Sequence, residues 1–396
     1  MNNSSQHEVQ SIRHRDIQQQ LRALAPSLRK SAPDAERIRR PLDEQIRAIE
    51  ATGAFRIMVP RRLDGYQSTF RQMMDITSEV AHGDGSLGWV VTLNNVCAWM
   101  VGLYPDVVQR DIYKSGPDTR VAGVLAPIGK ATHTAGGYLL SGRWPYASGS
   151  MHAQWALLGC CVEGEAPGPG YIAAINLQEA TIEDTWYTAG MTATGSNTVV
   201  LDNVFVPANR MLDKAQATEG HYPTEHKDEA VYRSAFVPVL AATLAGPPIG
   251  IARAALEHFI ETVPKRGIAN TIYKQQHEAP VTHFGLAKAM MLVDAAHMHA
   301  YRAADDIDAA AASSEYPSLL QRARVRMDTA QAIELARQAV HHLLVLGGAS
   351  SMASANPIQR MWRDIQTASL HAVVAHSTNE ELYGRVALGL PAHSPT

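Results

Sequence analysis

The chain has 396 residues, 46% of them hydrophobic, enough to bury the core of two or three domains or one large multilayer unit. Its 35 basic and 38 acidic residues leave a formal net charge of −3, which gives no electrostatic case for nucleic acid or an anionic membrane. Three cysteines (Cys97, Cys160, Cys161) with no Cys-x-x-Cys argue against a disulfide framework and a zinc ribbon. The polar start, Met1 to Arg15, lacks the apolar segment of a signal peptide, and no run of about 18 apolar residues predicts a membrane span. The expected setting is the reducing cytoplasm.

The first 120 residues predict helices. Ile12, Ile17, Leu21, Leu24 and Leu28 fall at helical spacing, and Ser31, Pro33 and Asp34 predict a stop and a new start. The next helix has Ile38, Leu42, Ile46 and Ile49 on one face and ends at Gly53. A third is expected from Thr69 to His82, with Phe70, Met73, Ile76 and Val80 inward. A fourth apolar stretch covers Leu87 to Leu103.

Near residue 121 the period shortens. Val121 to Leu125, Tyr138 to Trp144, Trp155 to Val162, Tyr171 to Ile175 and Thr198 to Val206 read as strands, with turns at Gly136-Gly137 and Asp202-Asn203. From Val231 to Tyr383 the pattern is helical and alanine-rich, as in a close-packed bundle. Gly246-Pro247-Pro248 predicts a kink. Gly347-Gly348 ends one long helix, and Asn356-Pro357 opens a last one running to Tyr383. The predicted division is a helical domain (1–120), an antiparallel β domain (121–228) and a helical bundle (229–396), an α+β architecture.

Few local motifs carry chemistry. Thr194-Gly195-Ser196 could hold a phosphate, because glycine admits the backbone and two hydroxyls donate. His297-x-His299 and His341-His342 diverge on their helices and predict no metal site. No Gly-x-Gly-x-x-Gly follows a strand, so the chain has no evident nicotinamide site of its own.

Several segments, in order along nearly the whole chain, resemble the acyl-CoA dehydrogenase superfamily. They are Gly53-Ala54-Phe55-Arg56 with Val59-Pro60, Asp84-Gly85-Ser86-Leu87-Gly88-Trp89, and the strand from Gly136 to Gly149. Gly190-Met191-Thr192-Ala193-Thr194-Gly195-Ser196 followed by Leu201-Asp202-Asn203-Val204-Phe205-Val206-Pro207 matches best. Gly347-Gly348 and Arg360-Met361-Trp362-Arg363-Asp364 complete the set. The resemblance implies an N-terminal helical domain, a central antiparallel β domain and a C-terminal four-helix bundle.

Two departures matter. Where the dehydrogenases carry Thr-Glu-Pro and Gly-Ser-Asp, this chain has Leu125-Ala126-Pro127-Ile128-Gly129-Lys130. Where many of them place a catalytic glutamate, about two helical turns after Arg-Asp, it has His371 and Ala372. Trp144-Pro145-Tyr146-Ala147-Ser148-Gly149 and the Arg-Asp followed by His resemble instead the two-component, group D flavin monooxygenases.

That resemblance implies a reduced-flavin enzyme (FADH2 or FMNH2, FAD slightly favoured) that uses O2, forms a C4a-hydroperoxyflavin and oxygenates a small aromatic, indole or amine. It further implies a separate NAD(P)H:flavin reductase and a homotetramer. The implied catalytic residues are His371, as acid or base, and Ser148, at flavin N5 or the oxygen adduct. Trp144, Ala147, Ser148, Thr194 and Ser196 are expected at the cofactor, with Arg266, Gly347 and Gly348 reaching its phosphates or adenine from a neighbouring subunit. Trp89, Asn94, Asn95 and Cys97 are expected near the substrate. Phenol-hydroxylating relatives often carry a histidine near Cys97, and none is present here. His376 competes with His371, Ser148 also reads as a turn residue, and Arg363 is expected to pair with Asp364. The competing functional readings are an acyl-CoA dehydrogenase or oxidase with a displaced base, for which Glu380 and Glu381 are candidates, and a non-catalytic flavin binder.

Overall fold

The computed structural model describes residues 3–313 and 315–396. Helix α1 (Asn3–Ile38) runs unbroken through Pro26 and Pro33. Leu21, Ala25, Leu28, Ala32 and Ala35 form one buried stripe across both prolines, which themselves face outwards. An interior proline costs a helix about 3 kcal/mol, and burial of a continuous stripe offsets it. The expected stop at Ser31 to Asp34 therefore does not occur. The helix ends beside Arg39, at φ 58, and Ile38 is exposed rather than inward.

Helix α2 (Asp43–Thr52) ends on Gly53 at φ 79, a left-handed cap that glycine adopts without strain. Thr69 and Gln72 form a capping box on α3 (Phe70–Gly83). Asp84 caps α4 (Gly85–Val101), accepting from the Leu87 N–H at 3.2 Å. Helix α4 is apolar and buried nearly all round, as befits a central helix. Helix α5 (Asp106–Ile112) leads to the sheet.

The strands are β1 (Val121–Thr134), β2 (Gly137–Ala147), β3 (Trp155–Val162), β4 (Tyr171–Asn176), β5 (Thr181–Glu183), β6 (Asn197–Pro207) and β7 (Met211–Asp213). Their order is β5-β6-β2-β1-β3-β4-β7. Every neighbouring pair is antiparallel except β1 and β3, which run parallel with Val121 opposite Trp155. The cause is the connection after β2, which passes the end of β1 to its far edge. At Gly149 that passage comes close to Val90 and Asn94 of α4. One face of the sheet has its own core of Leu140, Trp144, Leu158, Ile175 and Val199. Through Val121, Trp155 and Leu157 the sheet joins a single core shared by the N- and C-terminal helices.

After α6 (Lys214–Thr218), the bundle comprises α7 (Phe236–Ala242), α8 (Gly246–Thr262), α9 (Pro280–Ser313), α10 (Leu319–Leu346), α11 (Pro357–Ser369) and α12 (His376–Ala387). A 3-10 turn, Thr243–Ala245, joins α7 to α8, where Pro247 and Pro248 occupy the first turn. Contrary to the sequence expectation, Phe236–Lys265 is long and apolar enough to cross a membrane, yet 83% of its most apolar window is buried inside the fold. Buried alanines on α9 (Ala289, Ala296, Ala300) and α10 (Ala332, Ala336, Ala339) let those helices pack closely. The last predicted helix is broken: α11 stops at Ser369, and His371 caps a 3-10 turn, Ala372–Val374. No proline or glycine marks the break. Asn379 and Arg326 hold it from elsewhere by donating to the Val373 carbonyl at 3.1 and 3.3 Å.

Candidate active site

Strand β2 ends in a bulge. Trp144 pairs with Val199 and Ala147 with Asn197, so one residue too many lies on β2. Tyr146 absorbs it at φ 68, a left-handed conformation uncommon for a tyrosine, and Gly149 follows at φ 71. Between them Ser148 is turned inward and buried. Its N–H donates to the Tyr146 carbonyl at 2.9 Å, so that amide is already engaged.

Three buried hydroxyls form a chain. Ser148 Oγ lies 2.6 Å from Ser196 Oγ, Ser196 Oγ lies 2.6 Å from Thr194 Oγ1, and Thr194 Oγ1 lies 2.7 Å from the Met191 carbonyl oxygen. A carbonyl only accepts, and each hydroxyl has one proton. All three contacts are hydrogen bonds only if Ser148 donates to Ser196, Ser196 to Thr194, and Thr194 to Met191. The proton direction follows by counting, and it leaves Ser148 Oγ with lone pairs and no proton for anything outside the chain.

Helix α4 links this chain to His371. The Trp89 indole lies 5.9 Å from the His371 ring, centroid to centroid. Further along, the Asn94 amide lies against Gly149, where a side-chain carbon would come within 3.2 Å of Asn94 Nδ2. Asn94 Nδ2 donates to the Val90 carbonyl at 3.1 Å, while its Oδ1 is buried without a partner. An orphaned buried acceptor is costly, and a bound N–H or O–H would satisfy it. His371 is exposed as a residue, while the protein packed around its ring lowers its pKa below the ordinary imidazole value by desolvation. Val373 N–H donates weakly, at 3.4 Å, to its Nδ1, and Nε2 is the nitrogen that this bond does not engage.

Other expected site residues lie elsewhere. Trp144 has no exposed surface; its indole donates to the Gly159 carbonyl at 2.7 Å and packs over Gly129 and Gly142. Trp144, expected at the cofactor, thus has a packing role in the sheet core. Asn95 is fully buried and spent on backbone, donating to the Ala54 and Val91 carbonyls at 2.8 and 2.9 Å and accepting from Met58 N at 3.3 Å. Cys97 is buried against Gly123, and burial pushes its thiol up to about 12, so it is an inert packing group. The hydroxyl chain brings Ala147, Ser148, Thr194 and Ser196 together. Arg266 joins Gly347 in a second cluster, donating to the Gly347 carbonyl at 3.0 Å and to Ser350 Oγ at 3.3 Å, with its Nε buried and unpartnered. Gly348, at φ 69 and ψ −166, occupies a region open to little but glycine.

Competitors of His371 are occupied on α12. His376 contacts Gln331 at 2.8 Å and Glu380 at 3.4 Å, and Glu381 lies 3.9 Å from His393. The expected Arg363–Asp364 pair is also corrected. Arg363 pairs with Glu36 and donates to the Ala189 carbonyl at 2.5 Å. Asp364 is buried and accepts from the Met191 N–H at 2.6 Å. Sequence reading gave it no other part, since a hydrogen bond across 173 positions leaves no local signal.

Residues 242–376 match the family model for the acyl-CoA dehydrogenase C-terminal domain. The chain is 31% identical over 376 residues to the oxygenase subunit HsaA, a flavin-dependent monooxygenase of Rhodococcus jostii (strain RHA1), covering 94% of this chain and 98% of that protein. It is 30% identical over 382 residues to the oxygenase component of an FADH2-dependent resorcinol hydroxylase of Rhizobium sp. (strain MTP-10005), covering 93% and 92%. The solved structure of XiaF from Streptomyces sp., in complex with FADH2 and glycerol, matches with a TM-score of 0.90 and 31% identity over 99% of both chains. This chain therefore belongs to the two-component branch of the acyl-CoA dehydrogenase superfamily and is a flavin-dependent monooxygenase, an oxidoreductase.

Proposed function

We propose that this protein receives reduced flavin, FADH2 ahead of FMNH2, from a separate NAD(P)H:flavin reductase and, with O2, oxygenates a small aromatic, indole or amine substrate in the cytoplasm. The observation that carries the reading is the directed hydroxyl chain. Its terminal atom, Ser148 Oγ, is an acceptor. Reduced flavin carries a donor at N5, whereas oxidised flavin carries a bare acceptor there, so the residues fit the reduced form. When bound, the cofactor supplies oxygen activated at its C4a carbon.

The chain's own residues do the rest. Ala147 and Ser148 lie at the ring system, and Thr194 and Ser196 act behind Ser148: their hydroxyl protons are spent within the chain, which corrects the expectation that they donate to a phosphate. Arg266, with Gly347 and Gly348, takes a phosphate or adenine of a neighbouring subunit's cofactor; among the described residues its Nε has no partner and it makes no carboxylate contact, which suits that role. Asn94 Oδ1 receives a substrate N–H or O–H, Trp89 walls the site from water, and His371 Nε2 moves the substrate's proton. A homotetramer is supported by Phe284, Met291 and Met298, exposed at seven-residue spacing down one face of α9.

With FADH2 and isotopically labelled O2, an aromatic panel should yield a product carrying one labelled oxygen atom. Anaerobic bleaching of the protein's oxidised flavin by an acyl-CoA thioester would overturn the reading in favour of a dehydrogenase.

A further inference from the structure

Three elements that build the candidate active site end on two buried acids. Asp84 caps α4, the helix that carries Trp89 and Asn94. Asp364 lies on α11, the helix that leads into His371. The Met191 N–H donates to Asp364 at 2.6 Å, and the Met191 carbonyl terminates the hydroxyl chain from Ser148. The acids are neighbours: a side-chain carbon on Gly85 would come within 3.6 Å of Asp364 Oδ2. We propose that Asp364 is a positioning residue, forming with Asp84 a two-carboxyl, one-proton clasp that holds the Met191–Ser196 turn in register with His371.

Two carboxyls buried near each other, with one cation between them, do not both ionise readily at neutral pH. The groups facing Asp364 are Asp84 from the α4 cap, Arg360 from its own helix and Glu36 from α1, the last already paired with Arg363. Facing Asp84 are Arg360 and the neutral Gln45, whose amide donates to it at 3.5 Å. One cation thus faces two acids, and one proton makes up the difference. In agreement, burial, reinforced by Asp84, pushes Asp364 up to about 7. Between the ordinary carboxyl value, 3.8, and about 7 the folded protein binds more protons than the unfolded chain, so stability falls across that window as pH rises.

Asp364→Asn copies the protonated acid, since its Oδ1 still accepts from Met191 and it places no charge beside Asp84. Asp364→Ala leaves the Met191 N–H without a partner. The test is amide hydrogen exchange of peptides covering residues 184–196 in the flavin-free protein, together with melting temperature from pH 5 to 9. Asp364→Ala should exchange at least about tenfold faster there, and Asp364→Asn within about threefold of wild type at pH 7. Asp364→Asn should melt above wild type at pH 8, the difference shrinking towards pH 5. Unchanged exchange in Asp364→Ala, or Asp364→Asn as loose as Asp364→Ala, would overturn the clasp. If the alanine variant does not fold, the pH dependence decides: parallel melting curves for wild type and Asp364→Asn would overturn it as well. The inference rests on the assignment of Ser148 and His371 to the active site, but the exchange needs neither flavin nor substrate. A failed clasp is thus distinguishable from a failed assignment, which would show as a responsive turn in a protein that oxygenates nothing.

Discussion

His371→Ala should lower product formation by about 10²- to 10⁴-fold, the usual worth of a positioned proton-transfer group. Flavin binding should hold, and hydrogen peroxide should account for the oxygen no longer transferred. The fold should tolerate the change, because the residue's surface is exposed and its hydrogen bond to Val373 is weak. The pH dependence has a definite sign. Burial lowers the pKa of His371 from 6.5, so the imidazole stays neutral at neutral pH and gains its proton only below that value. Wild-type activity should fall as pH drops through this region, on an acid limb that His371→Ala lacks. An alkaline limb above about 7 should come from ionisation of the Asp364–Asp84 pair and should vanish in Asp364→Asn. Wild-type product yield from His371→Ala, measured by chromatography against flavin oxidised, would remove the residue from the mechanism.

Ser148→Ala should have the second-largest effect. It deletes the one acceptor that the hydroxyl chain presents and leaves Ser196 without its donor. A hydrogen bond of this kind is worth about 1–3 kcal/mol, so product per flavin oxidised should fall about 10- to 100-fold, with peroxide taking the difference. Thr194→Val is the instructive partner. It leaves Ser148 in place but removes the hydroxyl that fixes the chain's direction on Met191, so Ser196 and Ser148 can turn their protons round. Ser148 then becomes a donor part of the time. Thr194→Val should therefore lose preference for reduced over oxidised flavin, read from the two dissociation constants by fluorescence titration. An unchanged ratio of those constants would refute the directed chain.

Much of this architecture was legible in the sequence. The change of period near residue 121 and the Asn356-Pro357 helix start are local signals, and the structure places elements there. A glycine between hydroxyls is common in loops, so Thr194 and Ser196 drew weight only from the resemblance of the Gly190 to Ser196 segment to the family. What could not be read depends on contacts distant in sequence. The prolines of α1 look like stops until the stripe from Leu21 to Ala35 finds its packing partners. The break around His371 is held by Arg326 and Asn379 rather than by any residue within it. Asn94 and Asn95 are indistinguishable in a sequence, yet one helical step turns Asn95 to the backbone of Ala54 and leaves Asn94 with a free acceptor near Gly149. Asp364 looked like the partner of the adjacent Arg363, but Arg363 reaches Glu36, 327 positions away. The parallel pairing of β1 and β3 follows from a passage between strands that carries no signature of direction.

The most direct test of the account is stopped-flow absorbance after anaerobic protein with chemically reduced FAD is mixed with oxygenated buffer, with and without an aromatic substrate panel. The account predicts a transient near-ultraviolet band, distinct from reduced and oxidised flavin and lasting far longer than with free flavin. Immediate return to the oxidised spectrum, in every mixture, would contradict it.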